Sequence, residues 1–196
     1  MVLLFLRGDE MNKKEMDLKV LSLIEESNPD SEYLTDDPDI AAKHNYVTNQ
    51  IMFELARIKK IAKYAEMDVT EGDLITFEDI SKVIGYDIYQ LSTVCGVNHT
   101  YKANGTVLKI LETGTLEIDC FVYPERITEK TNGSYEFELS DDVLEIMPYG
   151  IAADLLKSDI STDYGAIYAQ RYETMLQRLD PRNNLTSIYI EGGVSI

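Results

Sequence analysis

Histidine and cysteine are scarce, with two of each in 196 residues. His44 and His99 lie far apart, and no His or Cys pair has the spacing of a zinc site. Cys95 and Cys120 both fall in apolar, strand-like runs and read as reduced core thiols. His44 sits on a helix three residues before Val47 and reads as a surface or boundary residue. Long apolar runs are missing too: nothing approaches the ~20 residues a membrane-spanning helix needs. The run Val2-Leu3-Leu4-Phe5-Leu6 is far shorter, with no basic region before it and no small-residue cleavage site after it. No membrane partner is expected, and the Asn-x-Ser/Thr triplets at Asn98, Asn104, Asn132 and Asn184 read as turns rather than glycan acceptors. Two readings stand for the N-terminal segment: an interaction arm, or residues ahead of a start at Met11-Asn12-Lys13-Lys14.

Nucleotide and hydrolase signatures are also lacking. There is no Gly-x-x-x-x-Gly-Lys-Ser/Thr loop, no Gly-x-Gly-x-x-Gly and no Gly-x-Ser-x-Gly elbow. The acid pairs Asp36-Asp37 and Asp141-Asp142 sit at helix starts, where capping accounts for them. No catalytic residue, cofactor or metal is expected, and the chain does not read as an enzyme. Positive charge is in deficit: 18 basic residues face 35 acidic ones, for a net charge of −17. Such a surface repels nucleic-acid phosphates, which excludes a sequence-reading DNA binder.

What is present is ordinary globular material, 44% hydrophobic and 27% charged, enough for a folded core without disulfides. Apolar spacing predicts a helix from Lys13 to Ser27, ended by Asn28-Pro29-Asp30. A second opens at Asp36-Asp37-Pro38 and runs on Val47, Ile51, Leu55, Ile58, Ala62 and Ala65 to about Met67. Arg57, Lys59, Lys60 and Lys63 crowd its end, where cations suit the macrodipole. They are also the one concentrated basic patch, so Arg57 and Lys60 are candidate contacts for an acidic partner or another subunit.

From Asp73 to Phe137 the chain turns strand-like, with candidates at Leu74 to Phe77, Asp87 to Cys95 and Leu116 to Tyr123. Asn104-Gly105 signals a hairpin. Helices return after Ser140-Asp141-Asp142, with Pro148 as a break or kink, and again after Thr162-Asp163. On the last helix Tyr164, Tyr168 and Tyr172 are spaced four apart, either as packing within the chain or as an intersubunit stripe. The end carries strand-prone Ile188, Tyr189, Ile190, Val194 and Ile196, suited to adding to a neighbour's sheet. The expected fold is α+β, mainly α: a helical bundle with an inserted small antiparallel β subdomain and an extended C-terminal tail. Its divisions fall at 1–12 (arm), 13–72 (N-terminal helices), 73–138 (β-rich insertion), 139–180 (C-terminal helices) and 181–196 (tail).

Several of these segments together resemble the head–tail connector (adaptor or neck) proteins of tailed phages. They are Tyr89-Gln90-Leu91, Asn104-Gly105, Leu116-Glu117-Ile118 with Tyr123-Pro124, Leu139-Ser140-Asp141-Asp142, Met147 to Ala153, and Tyr168 to Leu176. The likeness spans about Ala56 to Leu179. It implies a structural virion protein without cofactor, assembled in the host cytoplasm into a commonly dodecameric ring beneath the portal protein. DNA passes through such a ring unread, tail or stopper proteins bind below it, and the C-terminal tail docks on the portal. Without the resemblance, the alternative is a cytoplasmic protein-binding module or regulator.

Overall fold

Asn12 accepts from the backbone of Glu15 while the Glu15 carboxylate takes the Asn12 amide, a reciprocal cap that opens helix α1 (Lys13–Leu23). The computed structural model in which this is seen describes residues 11–28, 30, 34–102, 105–158 and 163–179. Helix α2 (Pro38–Lys59) starts as its sequence predicts, with Asp37 accepting from Asp39 and Ile40 and proline in the first turn. After it come strand β1 (Ile61–Val69), β2 (Leu74–Thr76), helix α3 (Phe77–Ile84), then β3 (Ile88–Cys95), β4 (His99–Lys102), β5 (Val107–Ile110) and β6 (Gly114–Val122). Helix α4 (Asp141–Leu155) continues through Pro148 into a short 3-10 turn, and α5 (Tyr164–Leu179) follows.

The helical-bundle expectation is overturned. Among the described residues five α-helices accompany two three-stranded antiparallel sheets, so the chain is α+β. The largest single difference is the end of α2. Lys60 takes φ +37° and breaks the helix, and the next nine residues pair with β6 in unbroken register from Ile61↔Val122 to Val69↔Gly114. Ala62 and Ala65 continue a helical spacing, but Ala65 and Val69 are buried and Tyr64, Glu66 and Asp68 exposed, the alternation of a strand. The expected extended tail lies outside the described residues.

In one sheet β6 is the centre, flanked by β1 and β3; in the other β5 lies between β2 and β4. The β4–β5 hairpin signalled by Asn104-Gly105 is present, its last register pair Lys102↔Val107. Ile80 of α3 is fully buried with Leu108, Ile110, Leu116 and Ile118 in a core belonging to residues 61–122. A second core joins Met16 and Val20 of α1, Met52 and Leu55 of α2, Met147 and Ile151 of α4, and Tyr172 and Leu179 of α5. Each fully buried aliphatic or methionine side chain there is worth roughly 1.5–3 kcal/mol of transfer free energy.

The cysteines are not a pair of core thiols. Both are free; Cys120 is buried, whereas Cys95 is exposed. They sit on neighbouring strands, but Cys95 pairs in register with the outward-facing Glu117, while Cys120 faces the core.

Candidate functional site

Among the described residues no three His, Cys, Asp or Glu side chains gather as metal ligands do. Four places stand out, on the surface and among the buried polar groups.

The basic patch predicted at the end of α2 is the first. An extra residue in β3 between Ile88 and Gln90 re-aims Tyr89, whose hydroxyl donates to the Ala56 carbonyl at 3.0 Å. Tyr89 lies beside Tyr123 (4.8 Å between centroids), and Tyr123 beside Phe53 (4.8 Å). Arg57 donates to the Tyr123 hydroxyl at 2.6 Å and lies 5.3 Å from that ring. Lys60 stands 4.6 Å from Phe121, and Arg126 is 5.1 Å from Phe53. Burial, then Tyr123, pushes the Tyr89 hydroxyl above its ordinary pKa, against the pull of Arg57. Two ion pairs, Lys59–Asp142 (2.6 Å) and Lys63–Glu138 (3.5 Å), complete the seam. Each exposed cation–ring contact is worth about 0.5–1 kcal/mol. Arg57 and Lys60 therefore already face rings of their own chain, tying the β1–β6–β3 sheet to the end of α2.

His44 is not a surface residue: it is 7% exposed and faces α1. Its Nδ1 lies 3.6 Å from Asp17 Oδ1, beyond hydrogen-bond range, while Lys13 reaches the other Asp17 oxygen at 2.5 Å. His44 Nε2 and the Thr48 hydroxyl are buried without hydrogen-bond partners among the described residues. Desolvation holds the His44 pKa down, opposed by Asp17 and reinforced by Lys13. The unfolded chain, with an imidazole pKa near 6.5, thus takes up the proton first as pH falls, and stability present above that value is lost below it. Melting temperature is expected to drop between pH 7 and pH 5, with a shallower drop in His44→Leu. Equal slopes in pH-dependent thermal melts of the two proteins would sink this assignment.

The outer face of the β1–β6–β3 sheet holds Glu66, Asp68, Glu117 and Asp119. Glu66 stands directly opposite Glu117, an arrangement that costs stability where no cation intervenes. None of the four makes an ion pair among the described residues, so this face carries uncompensated negative charge.

Helix α5 is the fourth place. The predicted tyrosine stripe does not stay on one face, because residues four apart drift by about 40° per step. Tyr164 is 48% exposed, Tyr168 is half-buried with its hydroxyl donating to Leu23 O at 2.6 Å, and Tyr172 is 6% exposed. Tyr172 packs within the subunit, where a Cβ on Gly150 would meet its ring at 2.8 Å. Among the described residues its buried hydroxyl has no partner within hydrogen-bond distance, although Glu54 is near enough that burial, then this carboxylate, pushes its pKa up. Ile167 is 53% exposed, next to Arg171 and Arg178 along one edge of α5. Across the helix lies a groove of about 610 Å³ between α2, α4 and α5, with Glu54, Asp154, Asp163 and Glu173 on its walls and Lys157 as its one cation among the lining residues. The spacing Ile167, Arg171, Arg178 was the signal for the basic edge; the groove joins three helices and had none.

The tail candidates Ile188, Tyr189, Ile190, Val194 and Ile196 lie outside the described residues. Neither a model of a known protein family nor a characterised protein matches the chain.

Proposed function

We propose that this protein is a structural subunit of a tailed-phage head–tail connector, forming a ring beneath the portal through which DNA passes unread. The observation that carries the reading is on α5: a helix that completes the core on one side leaves Tyr164 and Ile167 exposed on the other. Large exposed apolar side chains beside charged ones mark protein–protein contact surfaces. The sequence likeness supports the same reading, since its segments meet in space: Tyr89 lies against Tyr123, and Tyr149 against Tyr168 at 6.3 Å. The carboxylate-rich sheet face, which repels phosphate, suits a conduit better than a DNA grip.

Native mass spectrometry of the protein, alone and with portal protein, tests this. Ring-sized species are expected, along with portal complexes that disappear when residues 186–196 are deleted. A strict monomer indifferent to portal protein would replace this reading with a binding module that takes a single partner.

A further inference from the structure

A closed ring built from one kind of subunit needs two different, mutually complementary patches on opposite sides of each copy. Helix α5 supplies such a pair. Ile167, Arg171 and Arg178 line one flank; Ala166, Ala169 and Glu173 line the other, about half a helical turn away. The first flank is cationic and apolar. The second is one wall of the groove, where the four carboxylates Glu54, Asp154, Asp163 and Glu173 outnumber Lys157, itself 3.7 Å from Asp154.

The groove floor is open because its residues are small. Gly150, Ala153, Gly165 and Ala169 contribute little volume, and a Cβ on Gly165 would lie 3.2 Å from Leu156. On the opposite flank the Arg171 guanidinium carbon stands 4.2 Å from the centre of the Tyr149 ring, which holds its side chain in place, and Arg178 is exposed. A prearranged arginine edge loses less side-chain freedom on binding than a free one.

We infer that the Ile167–Arg171–Arg178 edge of one copy seats in the acidic groove of the next, so that α5 is the joint between neighbouring subunits. The occupant is a second copy of this chain because the two surfaces match in charge and face opposite ways. Arginine meets carboxylate, and Ile167 meets the small-residue floor. The joint rests on the ring reading and gives it a specific contact.

The test is a charge exchange. Arg171→Glu/Arg178→Glu makes the edge acidic; Glu54→Lys/Glu173→Lys makes the groove basic. Each variant alone is expected to self-associate at least about ten-fold more weakly than wild type, equivalent to about 1.4 kcal/mol. An equimolar mixture of the two is expected to regain wild-type assembly, because each altered edge then meets an oppositely altered groove. Circular dichroism and thermal melts establish that both are folded; Asp163→Lys, at an exposed position, replaces the groove variant if that one fails to fold. Folded variants that assemble like wild type, or a mixture that stays dissociated, would overturn the joint and leave the ring reading standing. A wild type that never self-associates, with or without portal protein, would remove the ring reading and the joint with it.

Discussion

Asn49→Ala is expected to destabilise the protein by about 4 kcal/mol, although it removes only a few atoms. Asn49 lies on the buried side of α2, 5% exposed. Its amide donates to the Ile127 carbonyl and to the Asn45 carbonyl, both at 2.8 Å, and its oxygen accepts from the Ile127 amide at 2.8 Å. One side chain therefore satisfies both backbone groups of a buried residue distant in sequence. Ile127 belongs to the stretch between β6 and α4 that has no helix or strand to pair its backbone. Truncation leaves a buried donor and a buried acceptor unsatisfied, each at about 1–3 kcal/mol, in surroundings too apolar to weaken the penalty. Asn49→Asp keeps the acceptor, loses both donors and buries a charge, so it is expected to be at least as damaging. Urea unfolding followed by circular dichroism measures this; a loss below about 1 kcal/mol for Asn49→Ala would mean that the Ile127 bonds are not the anchor they are taken to be.

The second large effect is expected at Gly96, just past the end of β3. Its φ is +90°, and a Cβ built there would lie 2.2 Å from the backbone oxygen of Thr115. Gly96→Ala combines a cost of about 1–2 kcal/mol for the left-handed backbone with about 1–3 kcal/mol for overpacking against the start of β6, where both Gly96 and Thr115 are exposed. The obstacle is main chain of the central strand, so it cannot rotate away. Gly85, with φ +74° and open space around its Cβ position, is the control, and Gly85→Ala should cost only the backbone part. Because residues 61–122 have their own core, the damage should be local. Hydrogen exchange is expected to accelerate in β1, β3 and β6 before it changes in α2 and α4. Uniform acceleration across both cores would show that the two act as one unit.

Local chemistry in the sequence was legible where local chemistry decides the structure. Asp37-Pro38 starts a helix; Ser140 stands at the start of α4 as expected, but its side chain makes no capping hydrogen bond; Gly105, at φ +89°, lies in the loop of the β4–β5 hairpin. The end of α2 was not legible, because residues 61–69 carry two patterns at once. Ala62 and Ala65 extend the helical spacing, while the strand alternation also passes through Ala65. Only pairing with β6, distant in the chain, decides between them. The same non-local logic hid the partners of Arg57 and Lys60, whose rings come from β3 and the end of β6. His44 is a different case. It stands four residues before Thr48 and three before Val47, both buried, so helical periodicity already placed it inward, and its polarity obscured that. The drift of Tyr164, Tyr168 and Tyr172 from exposed to buried was likewise computable from spacing four on a 3.6-residue turn.

The register pair Ile61↔Val122 bears on the order in which the chain folds. The β-rich unit enters and leaves the helical half at adjacent points, so α2 and α4 are joined by a long stretch whose ends are held together once β1 and β6 have paired. Bringing α4 back onto α2 from an open chain carries the entropy of closing that whole stretch. If the sheets form first, the closure is already made, and the helices meet as though connected by a short turn, which lowers the effective contact order of the second step. With that order the insertion acts as a clasp, and the helical core inherits the speed with which the sheets close it.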